Sequence, residues 1–190
     1  MQKSDLKRFI NPEVLIGERV VLRKITQNDL NDVYEYASDA KVPKYLLWSP
    51  HQSLSYTRDY LKYIESRYKA GDFYDWAVIE QSSGKMIGTC GFTRIDTPNN
   101  VGEIGYVLNP DYHRMGYGTE AASEALRFGF DVIGLHRIEA KFMLGNEASR
   151  HVMDKLGMTF EGFRRESMLV KGKYRTIGIC AVLSEEYRKL

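Results

Sequence analysis

Two glycines spaced two apart, Gly116 and Gly118, stand in the stretch YHRMGYGTEAASEALRFG (residues 112–129), ahead of an alanine-rich run. Glycine lets a backbone approach a ligand without an intruding Cβ. A helix starting here leaves its first four N–H groups without helical partners, and its dipole favours an anion, so a pyrophosphate fits the position. His113 and Arg114 bring cationic side chains to the same end. On the residues alone two readings stay open: an anion site, or a helix entry whose glycines only ease a bend. Residues 116–121 formally match the G-x-G-x-x-A fingerprint of dinucleotide sites. That fingerprint wants its first glycine at the strand end, whereas Asn109 to Met115 intervene here, and Glu139 lies near the start of the next strand rather than at its end. No Gly-Lys-Ser/Thr follows, so a P-loop is excluded as well.

Other polar residues carry weaker signals. Asn146 and Ser149 are spaced i, i+3 and share a helix face. Taken alone, Asn146 reads as an N-cap and Ser149 as a solvated position. Glu166 follows Arg164 and Arg165, and an exposed ion pair there is worth at most about 1 kcal/mol. Glu103 reads as a strand-end carboxylate. Tyr56, Tyr60 and Tyr63 recur at helical spacing, which packing explains. Trp48 stands in the aromatic loop KYLLWSP, closed by Pro50, and His51 and His136 read as structural.

These residues need a scaffold of mixed type. ERVVLRKI (18–25) is β-branched and predicts a first strand. Thr26 and Asp29 resemble a capping box that opens a helix through DLNDVYEYASD, and a second helix covers SYTRDYLKYIESRYKAG, stopped by Gly71. DWAVIE and KMIGTCGFTRI flank Ser82-Ser83-Gly84 as a hairpin, and GEIGYVL (102–108) follows. Ala121, Ala122, Ala125, Leu126, Gly129 and Phe130 recur with helical period. RIEAKFML alternates, with Ile138, Ala140, Phe142 and Leu144 on one face and Arg137, Glu139 and Lys141 on the other. NEASRHVMDKLG is a helix capped by Asn146 and ended by Gly157, and two last strands, Phe160 to Val170 and Tyr174 to Leu183, pair through Lys171-Gly172-Lys173. Strands at both ends with one βαβ-like unit inside argue for an α/β fold, a mixed sheet with helices on its faces.

The 190 residues fit one domain, 1–190, with residues 1–16 as an N-terminal extension. A net charge of +2 without a dense Lys/Arg run argues against nucleic acid as a partner. No apolar run approaches the roughly 20 residues of a membrane span, and Met1 to Phe9 lack the apolar core of a secretory signal. Cys90 and Cys180 lack metal-ligand spacing and sit in apolar strands, which favours free thiols, no metal, and a cytoplasmic location.

GEIGYVLNPDYHRMGYGTEAASEALRFGF resembles the acyl-CoA-binding motif of the GNAT acetyltransferases, a strand followed by Q/R-x-x-G-x-G/A at a helix start. NEASRHVMDKLGMTFEG resembles that family's next signature, and RVVLRKITQNDLNDVYEYASD is similar to the opening of its RimJ/RimL branch, which acetylates ribosomal-protein N-termini. The resemblance implies a central, mostly antiparallel sheet of about seven strands, splayed between the fourth and fifth. It implies transfer of acetyl from acetyl-CoA to a primary amine by direct attack, in a monomer or homodimer. The acceptor is then a protein N-terminus, with a small amine, antibiotic or polyamine as the alternative; a non-catalytic acyl-CoA sensor is a further alternative.

By the same resemblance, backbone groups of Tyr106, Val107 and Leu108 meet the pantetheine arm. His113, Arg114, Met115, Gly116, Tyr117, Gly118 and Thr119 hold the pyrophosphate, Asn146 contacts the pantetheine, and Ser149 protonates the leaving sulfur. Glu166 or Glu103 serves as base, and Tyr45 and Trp48 line the acceptor mouth. Two positions depart from the pattern: His113 replaces the usual Gln or Arg, and Met153, which cannot donate a proton, stands where many relatives have a tyrosine.

Overall fold

The computed structural model describes residues 11–189, so residues 1–10 of the expected extension lie outside it. One sheet of eight strands runs in the order β1-β2-β3-β4-β5-β6-β8-β7. The strands are β1 (Leu15–Ile16), β2 (Val20–Arg23), β3 (Tyr74–Glu80), β4 (Met86–Asp96), β5 (Val101–Leu108), β6 (Arg137–Met143), β7 (Thr159–Val170) and β8 (Lys173–Leu183). The additional strand is β1, a two-residue pairing inside the segment expected to be an extension. Every pairing is antiparallel except β5 with β6. That parallel ladder stops at Ile104 opposite Ala140, although both strands run on. The backbone of β5 from Gly105 to Leu108 therefore has no β6 partner, and the sheet splits open there.

Helices cover both faces. Helix α1 (Leu30–Ala37) and helix α2 (Leu54–Ala70) pack Val33, Tyr36, Leu61, Ile64 and Tyr68 against Ile25, Ala77, Ile79 and Met86. The Asp29 carboxylate accepts from the Thr26 N–H at 2.8 Å and from Arg23, which fixes the entry to α1. Ser53 caps α2, and Gly71 ends it at φ 73°. On the opposite face, helix α3 (Tyr117–Arg127) and helix α4 (Glu147–Lys155) cover Cys90, Phe92, Ile104, Ile138 and Cys180. Both cysteines are buried free thiols. A last turn, α5 (Ser184–Tyr187), stacks Tyr187 on Phe130.

Two local expectations are corrected. The helical period around Gly129 and Phe130 continues past α3 as a wider π-turn, Phe128–Ile133, rather than as α-helix. Leu144 does not share the buried face of Ile138, Ala140 and Phe142; it is 59% exposed, because β6 ends at Met143 and Gly145 (φ 91°) turns the chain.

Candidate acetyl-CoA and acceptor site

The turn before α3 is built for close approach. Gly116 is its N-cap at φ 90°, a left-handed conformation that costs a glycine nothing, and no side chain caps the helix there. The first helical bond is donated by the Glu120 N–H to the Gly116 carbonyl at 3.0 Å. The N–H groups of Tyr117, Gly118 and Thr119 precede it and have no acceptor within the helix, so they are oriented for an anion. Gly118 serves packing instead. A Cβ there would meet Leu108 Cδ1 at 3.2 Å, so its bareness seats the helix over the end of β5.

A long-range contact that local sequence does not announce holds this turn. The Glu120 carboxylate accepts from the Arg19 N–H at 2.6 Å, from Arg19 Nε at 2.9 Å and from the Val20 N–H at 3.1 Å. Arg19 also donates to the Met115 carbonyl and lies over the Tyr117 ring. The Tyr117 hydroxyl donates to Glu80 on β3. His113 is tied into the loop as well, its Nε2 lying 3.0 Å from the Leu108 carbonyl; since that oxygen only accepts, Nε2 carries the proton. The neighbouring Arg114 adopts φ 63° and is exposed. A diphosphate fits this corner: its donors are backbone amides, the local dipole is positive, and Gly116 leaves the approach bare.

Across the split in the sheet, Asn146 caps α4, its Oδ1 accepting from the Ser149 N–H at 3.3 Å. Ser149 is met by a partner from another element. The Tyr106 hydroxyl lies 3.0 Å from the Ser149 carbonyl and 3.1 Å from its Oγ. Burial pushes the Tyr106 phenol well above its ordinary value, so it stays protonated and available to donate. Met153 is 1% exposed, in the core under this cleft. The side chain of Val107 turns the other way and packs on the α1–α2 side.

The remaining expected residues are spread apart. The Glu103 carboxylate is engaged by the Lys141 ammonium where β5 and β6 are still joined. Glu166 sits in a bulge of the edge strand β7, at φ 48°, with its N–H donating to Thr176 Oγ1. It lines an open depression with Arg165 and Thr176, and neither Arg164 nor Arg165 is among the ion pairs of the described residues. Tyr45 lines a neighbouring crevice of about 310 Å³ with Lys44, Met143, Leu144, Arg175 and Thr176, its hydroxyl donating to the Gly145 carbonyl at 2.8 Å. Trp48 is not at that crevice. It packs on the α1–α2 cluster, 5.7 Å from the His51 ring. His51 is buried, with Nδ1 2.9 Å from Thr57 Oγ1, and burial lowers its pKa. Among the described residues there is no group of His, Cys, Asp and Glu able to hold a metal, and no helix is long and apolar enough to cross a membrane.

A split sheet with a bare helix entry on one lip is an acyl-CoA cleft in architecture. Residues 19–159 match the family model described as the acetyltransferase (GNAT) domain. The chain belongs to this family and is an N-acetyltransferase that uses acetyl-CoA. It is 33% identical over 175 residues to the N-acetyltransferase p20 of Bacillus licheniformis, covering 92% of this chain and 98% of the relative. It is 25% identical over 176 residues to the spermidine N(1)-acetyltransferase of Escherichia coli K12, covering 88% of each. A solved GNAT-family acetyltransferase from Bacillus anthracis superposes with a TM-score of 0.82 at 29% identity, over 91% of this chain and 99% of that one.

Proposed function

We propose that the acceptor is a primary amine followed by acidic groups, of the kind offered by the N-terminal α-amine of a protein. The observation that carries this reading is the charge of the crevice at the mouth of the split. Lys44 and Arg175 line it, Arg165 lies beside it across Thr176, and Glu166 is the one carboxylate among the lining residues. None of these three cations belongs to an ion pair among the described residues. A like charge about 8 Å away costs roughly 0.5 kcal/mol even at the dielectric of water, so a polycation meets a penalty at each cation it passes. An acidic peptide gains the same amount. The similarity to a spermidine enzyme supports a second reading, a polyamine acceptor, and the sign of the mouth is what separates the two.

In this reading the amides of Tyr117, Gly118 and Thr119 hold the diphosphate, with Arg114 adding positive charge and Met115 fixed by Arg19. The free edge of β5 at Tyr106, Val107 and Leu108 guides the pantetheine arm toward Asn146. The thioester supplies an electrophilic carbonyl, and the amine attacks it directly. The Tyr106–Ser149 hydroxyl pair delivers a proton to the departing sulfur. That help is modest, because a thiol pKa near 8.5 already makes the thiolate a fair leaving group. Positioning supplies much of the acceleration. Thiol release from acetyl-CoA measured with peptides of acidic, neutral and basic N-terminal sequence, and with spermidine, tests the reading. Fastest release with the acidic peptide is expected, and preference for spermidine would overturn it.

A further inference from the structure

Glu120 stands where a negative charge works against the ligand. It lies in the first turn of α3, on the helix end whose free amides receive the diphosphate. A carboxylate there is drawn to the same positive pole and repels the phosphates. A tight turn between β1 and β2, closed by the Gly17 N–H donating to the Val20 carbonyl at 2.9 Å, takes the side chain aside. One carboxylate oxygen accepts from the N–H groups of Arg19 and Val20; the other accepts from Arg19 Nε and lies 2.9 Å from Nη2. A Cβ on Gly17 would come within 2.9 Å of Glu120 Oε1, so the bare backbone there is part of the seat. Gln81, directly after β3, fastens the turn, its N–H donating to the Arg19 carbonyl and its Nε2 to the Gly17 carbonyl, both at 2.9 Å.

Arg19 joins this seat to the cradle. Its Nη1 donates to the Met115 carbonyl at 3.0 Å, and its Nη2 stands 3.1 Å from where a Cβ of Gly116 would be. One guanidinium's width therefore separates the Glu120 carboxylate from the loop that opens the cradle. The Glu120 side chain is 15% exposed and that of Arg19 46%, so the cation is the more accessible of the two.

We propose that Arg19 sets the affinity for acetyl-CoA by cancelling the charge of Glu120, so that the diphosphate meets the first turn of α3 without a net negative neighbour. This rests on the reading of that turn as the diphosphate cradle. Glu120 anchors the helix entry to the β1–β2 turn, and Arg19 makes the anchor compatible with an anion. Arg19 acts through Glu120 and Met115, and is in that sense a positioning residue.

A purely mechanical clamp has a different signature. A clamp is weakened by loss of either partner, so both single variants would bind the cofactor more weakly. Charge cancellation predicts opposite signs. Without Arg19 the side chain of Glu120 keeps its two backbone N–H donors and remains beside the cradle uncompensated. With glutamine at 120 the amide oxygen keeps the same two donors, and the charge of Arg19 is left to attract the phosphates.

Calorimetry of coenzyme A binding to wild type, Arg19→Ala, Glu120→Gln and the double variant at low salt tests this, with thermal melts alongside. Arg19→Ala is expected to raise Kd about 10-fold and Glu120→Gln to lower it about 3-fold, with the double variant within about 2-fold of wild type. Raising the ionic strength from about 0.05 M to about 0.5 M should shrink the Arg19→Ala effect, because salt reaches the half-exposed guanidinium. Binding weakened by Glu120→Gln and by the double variant as much as by Arg19→Ala would overturn the proposal and leave a mechanical clamp. Glu120→Gln keeps both backbone bonds, so its sign decides even where Arg19→Ala does not fold. Wild type that binds no coenzyme A would refute the cradle reading itself, whereas wild-type binding with an unchanged Arg19→Ala Kd would refute the role of Arg19 alone.

Discussion

Asp75 on β3 accepts from the Trp76 N–H at 3.0 Å, and burial lifts its carboxyl from 3.8 to about 7. Replacing it with asparagine is expected to stabilise the folded protein. The sign follows from the raised carboxyl. Below 3.8 the group is protonated in both folded and unfolded chains, and its full contribution to stability is present. As the pH rises, the unfolded chain gives up its proton first, while the folded state holds its own until about 7, so stability is lost across that window. At 1.36 kcal/mol per pH unit the loss reaches about 4 kcal/mol above pH 7 as an upper limit. Asp75 as a whole residue is only part-buried, and that exposure reduces this to about 2 kcal/mol. Asparagine is isosteric, its amide oxygen still accepts from the Trp76 N–H, and it never ionises. For a chain of this size, 2 kcal/mol corresponds to a Tm increase of about 4–8 °C. Thermal melts by circular dichroism at pH 5 and pH 8.5 should show the larger gain at pH 8.5. Equal gains at the two pH values, or a lower Tm at pH 8.5, would refute the reasoning, because the carboxyl would then carry no burial penalty.

Four further substitutions separate binding, proton transfer and scaffold. Gly116→Val places a β-branched residue at φ 90° and 3.1 Å from Arg19 Nη2, and should raise the acetyl-CoA Kd at least about 10-fold by calorimetry with little change in fold. Ser149→Ala and Tyr106→Phe should each lower kcat about 3- to 10-fold, and the double variant should be no worse than the poorer single one, as expected of hydroxyls acting as a unit. The loop position of Trp48 suggests an effect on acceptor KM, but its packing on the α1–α2 cluster predicts instead that Trp48→Ala costs about 2 kcal/mol of stability, read by urea denaturation, and leaves KM unaltered.

What sequence reading captures here is periodic and local. The alternation of Ile138, Ala140 and Phe142, the alanine face of α3 and the Asn146 cap all follow from spacings within one element. What it misses is built by the sheet bringing distant segments together. Arg19 and Glu120 lie 101 residues apart, and Tyr106 and Ser149 lie 43 apart, so no local spacing marks either pair. Asp75 is harder still. In the run DWAVIE nothing marks it, because the burial that raises its carboxyl comes from other elements. The motif carboxylates Glu103 and Glu166 drew notice by position in a pattern, whereas the environment that tunes a carboxyl is visible only in three dimensions. Trp48 shows the converse: a proline-bounded loop still packs an aromatic inward when a helix pair offers an apolar surface.

Cofactor placement, and with it every later step, depends on the helix entry at Gly116 acting as a diphosphate cradle. A crystal structure of the protein with coenzyme A measures this directly. It should place diphosphate oxygens about 2.7–3.2 Å from the N–H groups of Tyr117, Gly118 and Thr119, with the thiol end in the split between β5 and β6. A diphosphate bound anywhere else on the molecule would contradict it.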